Sequence, residues 1–255
     1  MNDLMTCQSS RYIYALIKSS DAALLQADAP GGMCGSPIEL INAGEITAVA
    51  SATAETKIRP QRKYLATHQQ IVNWVAEKCS MLPVAFGLIA EDPEAVTRVI
   101  DSNSPTLLEQ LSVVDGKVEM SLTLRWAVDN VFKYFVSQYD DLMEASQLIA
   151  RGEASRDEQI ELGRLFERLL TAEREKHTTH VMEMLSSIVV KSELQPQRDE
   201  FDIMRLACLI NRSDVEVFSE KVFDIAKDFS DDYGFAFNGP WAPYSFVSLS
   251  LFLND

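Results

Sequence analysis

Two histidines three positions apart, His177 and His180, lie close in sequence to Glu173 and Glu183 and are the nearest approach to a metal-ligating pattern in this chain. On a helix that spacing puts both imidazoles on one face, yet a metal centre needs three or four converging donors. The surrounding apolar stripe lapses at Lys176-His-Thr-Thr-His180, so the interval reads as a solvated helix face and no metal is expected. Cys34 and His68 are the only plausible nucleophile and base, and a single cysteine with a distant histidine is a weak signature. His68 falls on the apolar side of a helical pattern, where a packed, hydrogen-bonded ring is expected. The loop Pro30-Gly-Gly-Met-Cys-Gly35 has no lysine or hydroxyl placed to hold a phosphate, and neither G-x-x-x-x-G-K nor a strand-linked G-x-G-x-x-G occurs, so it reads as a flexible connector. The expectation is a protein that is not an enzyme, with no catalytic residue, no cofactor and no small-molecule substrate.

Residues suited to holding a partner are easier to find. Lys57, Arg59, Arg62 and Lys63 form a basic cluster at a helix start, where the helix dipole disfavours cations. The cluster reads either as a solvated patch or as a face toward an acidic partner or another domain. Gly239-Pro-Trp-Ala-Pro-Tyr-Ser-Phe246 packs two prolines, three aromatics and a glycine into eight residues. Proline keeps it out of helix, and Trp241, Tyr244 and Phe246 offer large amphipathic surfaces. It reads as a rigid plug locking the second domain shut, with an exposed docking surface as the alternative; Trp241 and Tyr244 are the residues suited to both.

The whole-chain balance restricts partners further. With 23 basic and 38 acidic residues the net charge is −15, a field that repels phosphate backbones and anionic lipid heads, so neither nucleic acid nor membrane is expected as a partner. Cys7, Cys34, Cys79 and Cys208 are scattered with no Cys-x-x-Cys pair, which indicates neither a disulfide framework nor a zinc site. No basic-then-apolar leader opens the chain, and no run approaches the ~18 apolar residues of a spanning helix. A soluble cytoplasmic protein is expected.

The elements that must position these residues follow from periodicity. Arg11–Ile17 reads as a buried strand, Asp21–Ala27 as a short helix, and Ile38–Ile41 and Ile46–Ser51 as strands. Tyr64, Leu65, His68, Ile71, Val72, Val75, Ala76 and Cys79 form one stripe of a helix from about Gln61 to Cys79. Leu82–Ile89 reads as a strand and Asp92–Leu111 as one or two helices interrupted at Pro105. This order is that of a ferredoxin-like α/β sandwich. Val118–Val128 alternates cleanly, with Lys117, Glu119, Ser121, Thr123 and Arg125 on a solvated face. Two long helices, about Asn130–Ala150 and Arg156–Val190, break at Arg151-Gly152. Phe201–Ile210 is a strand, Ser213-Asp-Val-Glu216 a capping box opening a helix, and Phe235–Phe237 a last strand. The predicted architecture is α+β in two domains: residues 1–112, the ferredoxin-like sandwich, and residues 113–255, a small sheet with a long, coiled-coil-like helical hairpin.

The final segment closely resembles the C-terminal Gly-Pro-Trp-Pro-Pro-Tyr-Ser-Phe motif of the gas vesicle protein F/L family (GvpF/GvpL). Arg11-Tyr-Ile-Tyr14 resembles that family's opening strand, Gly44-Glu-Ile-Thr-Ala-Val-Ala-Ser51 its second, and His68 falls at its helix histidine. Leu82-Pro-Val-Ala-Phe-Gly87 is similar to its Leu-Pro-x-Arg-Phe-Gly motif, and Gly116-Lys-Val-Glu119 to the start of its second half. Ala85 stands where the family has arginine and Ala242 where it has proline. The resemblance implies an accessory or minor component of gas vesicles, located in the cytoplasm and on the vesicle. It would bind the small apolar shell protein GvpA and other accessory proteins, prevent aggregation of the shell protein and aid nucleation and assembly. A reading of another class is a small-molecule-binding regulatory module, since ferredoxin-like sandwiches often bind metabolites.

Overall fold

The computed structural model describes residues 10–249, so Cys7 lies outside it. Contacts divide the chain into two units, residues 1–119 with 240–255, and residues 120–239. The expected boundaries were 1–112 and 113–255. The difference lies chiefly in the last segment, which belongs with the first unit. No helix among the described residues is long and apolar enough to cross a membrane.

The first unit is built on strand β1 (Ser10–Lys18), which pairs antiparallel with β3 (Ile46–Thr53), β4 (Met81–Pro83) and β5 (Ile89–Ala90). Strand β2 (Ile38–Ala43) completes the order β2-β3-β1-β4. The expected strand Leu82–Ile89 is two short strands joined through Gly87 at φ 97, a conformation that favours glycine. The expected helix at Asp21–Ala27 is only a 3-10 turn, Ser19–Leu25.

The strands and the helix α1 follow one another along the chain in the expected order, but the layering is not that of a two-layer ferredoxin-like sandwich. Helix α1 (Arg62–Lys78) packs Ile71, Val72 and Val75 on one face with Tyr12, Tyr14 and Ile17. Helix α2 (Pro93–Val114) packs Val96, Ile100, Leu107 and Leu111 on the other with Ile13 and Leu16. Covered on both faces, β1 is buried from Tyr12 through Ile17 and β3 throughout, which explains the unbroken run of aromatic and aliphatic residues in β1. Helix α2 does not stop at Pro105: that ring is exposed, and apolar residues on either side of it hold the helix to the sheet.

A bulge shifts the phase of β1. Ile13 opposes Ala50 and Ala15 opposes Val49, leaving Tyr14 as the extra residue. Tyr12, Tyr14, Ala15 and Ile17 therefore all face α1, which strict alternation would forbid.

The loop at Gly31–Gly35 is a packed turn, not a flexible connector. Gly32 donates to the Ser36 carbonyl at 2.7 Å, Gly35 to the Gly32 carbonyl at 2.9 Å, and Met33 is fully buried. A Cβ on Gly32 would lie 2.5 Å from the Cβ of Ser51, so this glycine is required by the close approach of the loop to β3.

The second unit centres on a sheet of order β7-β8-β6-β9: β6 (Lys117–Trp126), β7 (Val189–Leu194), β8 (Asp202–Asn211) and β9 (Tyr233–Trp241). The chain leaves the first unit within β6 and returns within β9. The expected helix Asn130–Ala150 is two, α3 (Val131–Gln138) and α4 (Asp140–Ala150). Tyr139 between them is extended, stacks on Phe135 at 5.7 Å and donates its hydroxyl to Glu173 at 3.0 Å, contacts a continuous helix would not align. Helix α5 (Arg156–Leu185) ends before the expected Val190, and β7 begins at Val189. Its capping box is Ser155 with Glu158. At the expected box, the Ser213 hydroxyl turns to Asp214 at 2.9 Å, and a 3-10 turn precedes helix α6 (Val215–Ala226) without a side-chain cap.

Gly32→Ala is expected to lower stability in urea denaturation by about 1–3 kcal/mol through overpacking. Gly31→Ala, whose Cβ would meet nothing closer than 3.7 Å, should stay within about 0.5 kcal/mol of the parent.

Candidate functional site

A tyrosine in a strand buried on both faces brings a hydroxyl that must find a partner. Tyr12 and Tyr14 each solve this within the first unit. The Tyr14 hydroxyl lies 2.8 Å from Ser51 Oγ and accepts the Met33 N–H at 2.8 Å, tying the Gly32–Gly35 turn to the sheet. The Tyr12 hydroxyl accepts the Gly87 N–H at 2.9 Å and lies 3.0 Å from His68 Nδ1. His68 Nε2 in turn lies 3.2 Å from the hydroxyl of Tyr244. A neutral imidazole offers one donor and one acceptor, so it can bridge both hydroxyls. Phe86 closes the cluster, edge-on to His68 at 5.7 Å and to Tyr12 at 6.0 Å.

Burial sets the electrostatics. The His68 ring is 4 % exposed, and loss of hydration pulls its pKa down to about 4, against an opposing hydrogen bond with the Val84 backbone. Burial likewise pushes Tyr244 up to about 12 and raises Tyr12 and Tyr14. None of these side chains is poised to exchange a proton near neutrality. The arrangement is suited to holding chain segments together.

The segment it holds is the C-terminal one. Ser245 donates its N–H and its hydroxyl, both at 2.8 Å, to the two carboxylate oxygens of Glu119. Gln110 exchanges two 3.0 Å hydrogen bonds with the backbone of Ser248. Ala242 is buried in the core on the α1 side, while Val247 and Leu249 pack against the core on the α2 side. The expected plug of the second domain is thus a strap across the first unit. Glu119, expected on a solvated strand face, is buried because the returning strap covers it.

The sequence-selected residues separate into several groups. Tyr244 is 38 % exposed as a residue although its hydroxyl is tucked onto His68, and Trp241 is 43 % exposed. Phe246 is buried and cannot serve as a free docking surface. Arg59, Arg62 and Lys63 are exposed, with Lys63 lying over the Tyr64 ring at 4.5 Å. Arg62 joins Leu65, His68, Phe86 and Tyr244 around a groove of about 680 Å³, so of the six expected partner-binding residues only Arg62 and Tyr244 line it together. Cys34 sits exposed on its turn, and both ring nitrogens of His68 face tyrosine hydroxyls instead. In the second unit His177 lies 3.1 Å from Glu173 and 3.2 Å from the Tyr233 hydroxyl, whereas His180 lies 3.1 Å from Asp228, so the two rings turn to different partners. The residues sequence reasoning left unassigned are Tyr12, Tyr14, Phe86, Glu119 and Ser245. The available signal was a pair of tyrosines in an otherwise apolar strand.

Two outcomes follow from this geometry. The unfolded chain binds a proton at His68 between its ordinary pKa of 6.5 and about 4, and the folded protein does not. Stability should therefore be fully present above pH 6.5 and decline as pH falls toward 4, by on the order of 3 kcal/mol from this group. Denaturant midpoints measured across that range should flatten in His68→Phe. Ser245→Ala removes the hydroxyl donor from a buried carboxylate and leaves it only the backbone N–H of residue 245, which should cost about 1–2 kcal/mol at neutral pH. That loss should shrink on acidification, because burial already raises the Glu119 pKa and protonation removes the unpaired charge.

Known proteins match most of the length of this chain. The family model described as gas vesicle synthesis protein GvpL/GvpF matches residues 10–248. Gas vesicle protein F of a Streptomyces species is 25% identical over 242 residues, covering 93% of this chain and 99% of the relative. Its counterpart in Dolichospermum flosaquae is 23% identical over 241 residues, covering 93% and 97%. The crystal structure of GvpF from Anabaena sp. PCC7120 superimposes with a TM-score of 0.82 at 21% identity, over 95% of this chain and 99% of that one. GvpF from Microcystis aeruginosa gives 0.77 at 21% identity, over 94% and 100%. These likenesses in structure establish the mixed α/β fold. The family model, spanning both the Tyr12–His68 pair and the strap that Tyr244 secures, shows that the chain belongs to the gas vesicle synthesis protein GvpL/GvpF family.

Proposed function

We propose that this protein is a non-catalytic accessory or minor structural component of gas vesicles, which binds the apolar shell protein GvpA and other accessory proteins in the cytoplasm and aids nucleation and assembly. The observation that carries this reading is the family match over residues 10–248. Shell subunits that must keep liquid water out expose apolar surface and aggregate when free. A partner that covers part of that surface while carrying a net charge of −15 keeps the complex dispersed.

The groove on the first unit is suited to such a task. Its rim carries Leu65, 43 % exposed, beside the half-exposed ring of Tyr244, and Phe86 forms part of its wall. The strap supplies one side and α1 the other, and the His68 bridge fixes their separation. In the second unit, α4 and α5 are read as a coiled-coil-like hairpin that offers further surface, with Met143, Leu148 and Ile160 exposed along it.

Co-expression with the shell protein tests the proposal. The soluble fraction of the shell protein should rise over that of the shell protein alone and fall back with Leu65→Asp, a change at an exposed position that leaves folding intact. No rise with the parent protein sinks the proposed role. A rise that survives Leu65→Asp keeps the role but moves it off the groove.

A further inference from the structure

The outer strand of the second sheet has a pattern that fits itself. Among the described residues β7 lies at the end of the order β7-β8-β6-β9, so one of its edges has no strand beside it. Gln195 donates its N–H to the Arg205 carbonyl at 2.8 Å, continuing the register in which Leu194 opposes Leu206. Bonded and non-bonded pairs alternate along an antiparallel ladder, so Lys191 and Glu193 turn their peptide groups toward β8. Ser192 and Leu194 turn theirs outward, where they are open to another strand. Among the described residues, two of the most exposed aliphatic side chains stand on this strand, Val190 at 54 % and Leu194 at 58 %.

We propose that β7 is a self-association edge, at which a second copy of this chain pairs antiparallel about a two-fold axis through Ser192. In that register Lys191 of each copy stands opposite Glu193 of the other, and Val190 stands opposite Leu194. The Lys191–Glu193 ion pair within one copy, at 3.1 Å, is supplemented by two equivalent pairs between copies. The outward peptide groups of Ser192 meet each other, and the sheet continues from one copy into the next.

The charges also select this register against its neighbours. A slip of two residues in one direction places Lys191 against Lys191, and in the other direction Glu193 against Glu193. Like charges directly opposite destabilise a strand pair. Lysines and bulges are the usual means of keeping an edge from pairing indiscriminately, and β7 carries both, with its register shift between Val189 and Lys191. Here they leave one arrangement in which every charge is matched, and a two-fold contact of this kind closes on itself as a dimer.

Sedimentation velocity over a concentration series of the full-length protein tests the proposal, at physiological salt so that the −15 charge on each copy is screened. The protein should show a reversible monomer–dimer equilibrium. Lys191→Glu and Glu193→Lys should each weaken association by about tenfold or more, and the double exchange should restore it. With Cys7 and Cys34 changed to serine, Ser192→Cys should oxidise to a disulfide-linked dimer, since the paired Cα atoms would stand about 5.5 Å apart. A protein that stays monomeric at every concentration overturns the proposal. So does a dimer indifferent to both single changes, or a Ser192→Cys protein that remains monomeric under oxidation.

Discussion

Placing an imidazole in an interface from which water is excluded is tolerable only when both of its nitrogens are satisfied, and much of the first unit is arranged to meet that requirement at His68. One partner comes from β1, the central strand, and the other from a segment 176 residues further along the chain. The Tyr12 hydroxyl that meets the ring also receives the Gly87 N–H, so the turn after β4 is drawn into the same cluster. Four separate stretches of sequence are thereby fixed to one point. Removing the hydroxyl of Tyr12 or Tyr244 leaves a nitrogen of the buried imidazole unpaired, a larger penalty than the bond itself contributes in water.

The bulge in β1 makes this possible. Were Tyr14 paired regularly and the bulge absent, the second half of the strand would turn Ala15 and Ile17 away from α1 and present Leu16 in their place. With it, the strand supplies two hydroxyl-bearing rings and two small or aliphatic contacts to the same helix. Tyr12 meets His68 of α1 and the Gly87 turn, while Tyr14, 4.9 Å away between ring centroids, meets Ser51 and the turn at Met33. The Gly32 position follows from this: the turn comes close enough to bond Tyr14 only because no Cβ stands between it and Ser51.

The quoted family motifs acquire a physical meaning in this arrangement. Arg11-Tyr-Ile-Tyr14 holds the two hydroxyls, and Arg11 itself binds Glu39 on β2 at 2.7 Å. Phe86-Gly87 closes over the Tyr12–His68 pair, Glu119 receives the strap, and Tyr244-Ser245 is the strap's polar contact surface. The two departures fall in different surroundings. Ala85 is exposed on the turn, whereas Ala242 is fully enclosed in the core beside α1.

The sequence alone determined most of the local structure, because periodicity is a local property. The stripe through His68, Ile71, Val72 and Val75 marked α1, the alternation after Gly116 marked β6, and the ordered motifs identified the family. It misread places where a distant contact overrides the local pattern. Pro105 was expected to break a helix that sheet packing holds together, and Tyr139 breaks one that periodicity would continue. The Gly31–Gly35 loop looked mobile by composition but is bonded to β1 and β3. Glu119 had the spacing of a solvated residue, and only the return of Ser245 from the far end of the chain buries it. The C-terminal segment carried its identity in its own eight residues. Which unit it binds was decided by tertiary structure, since the histidine, glutamate and glutamine that hold it lie far from it in sequence and no local pattern links them.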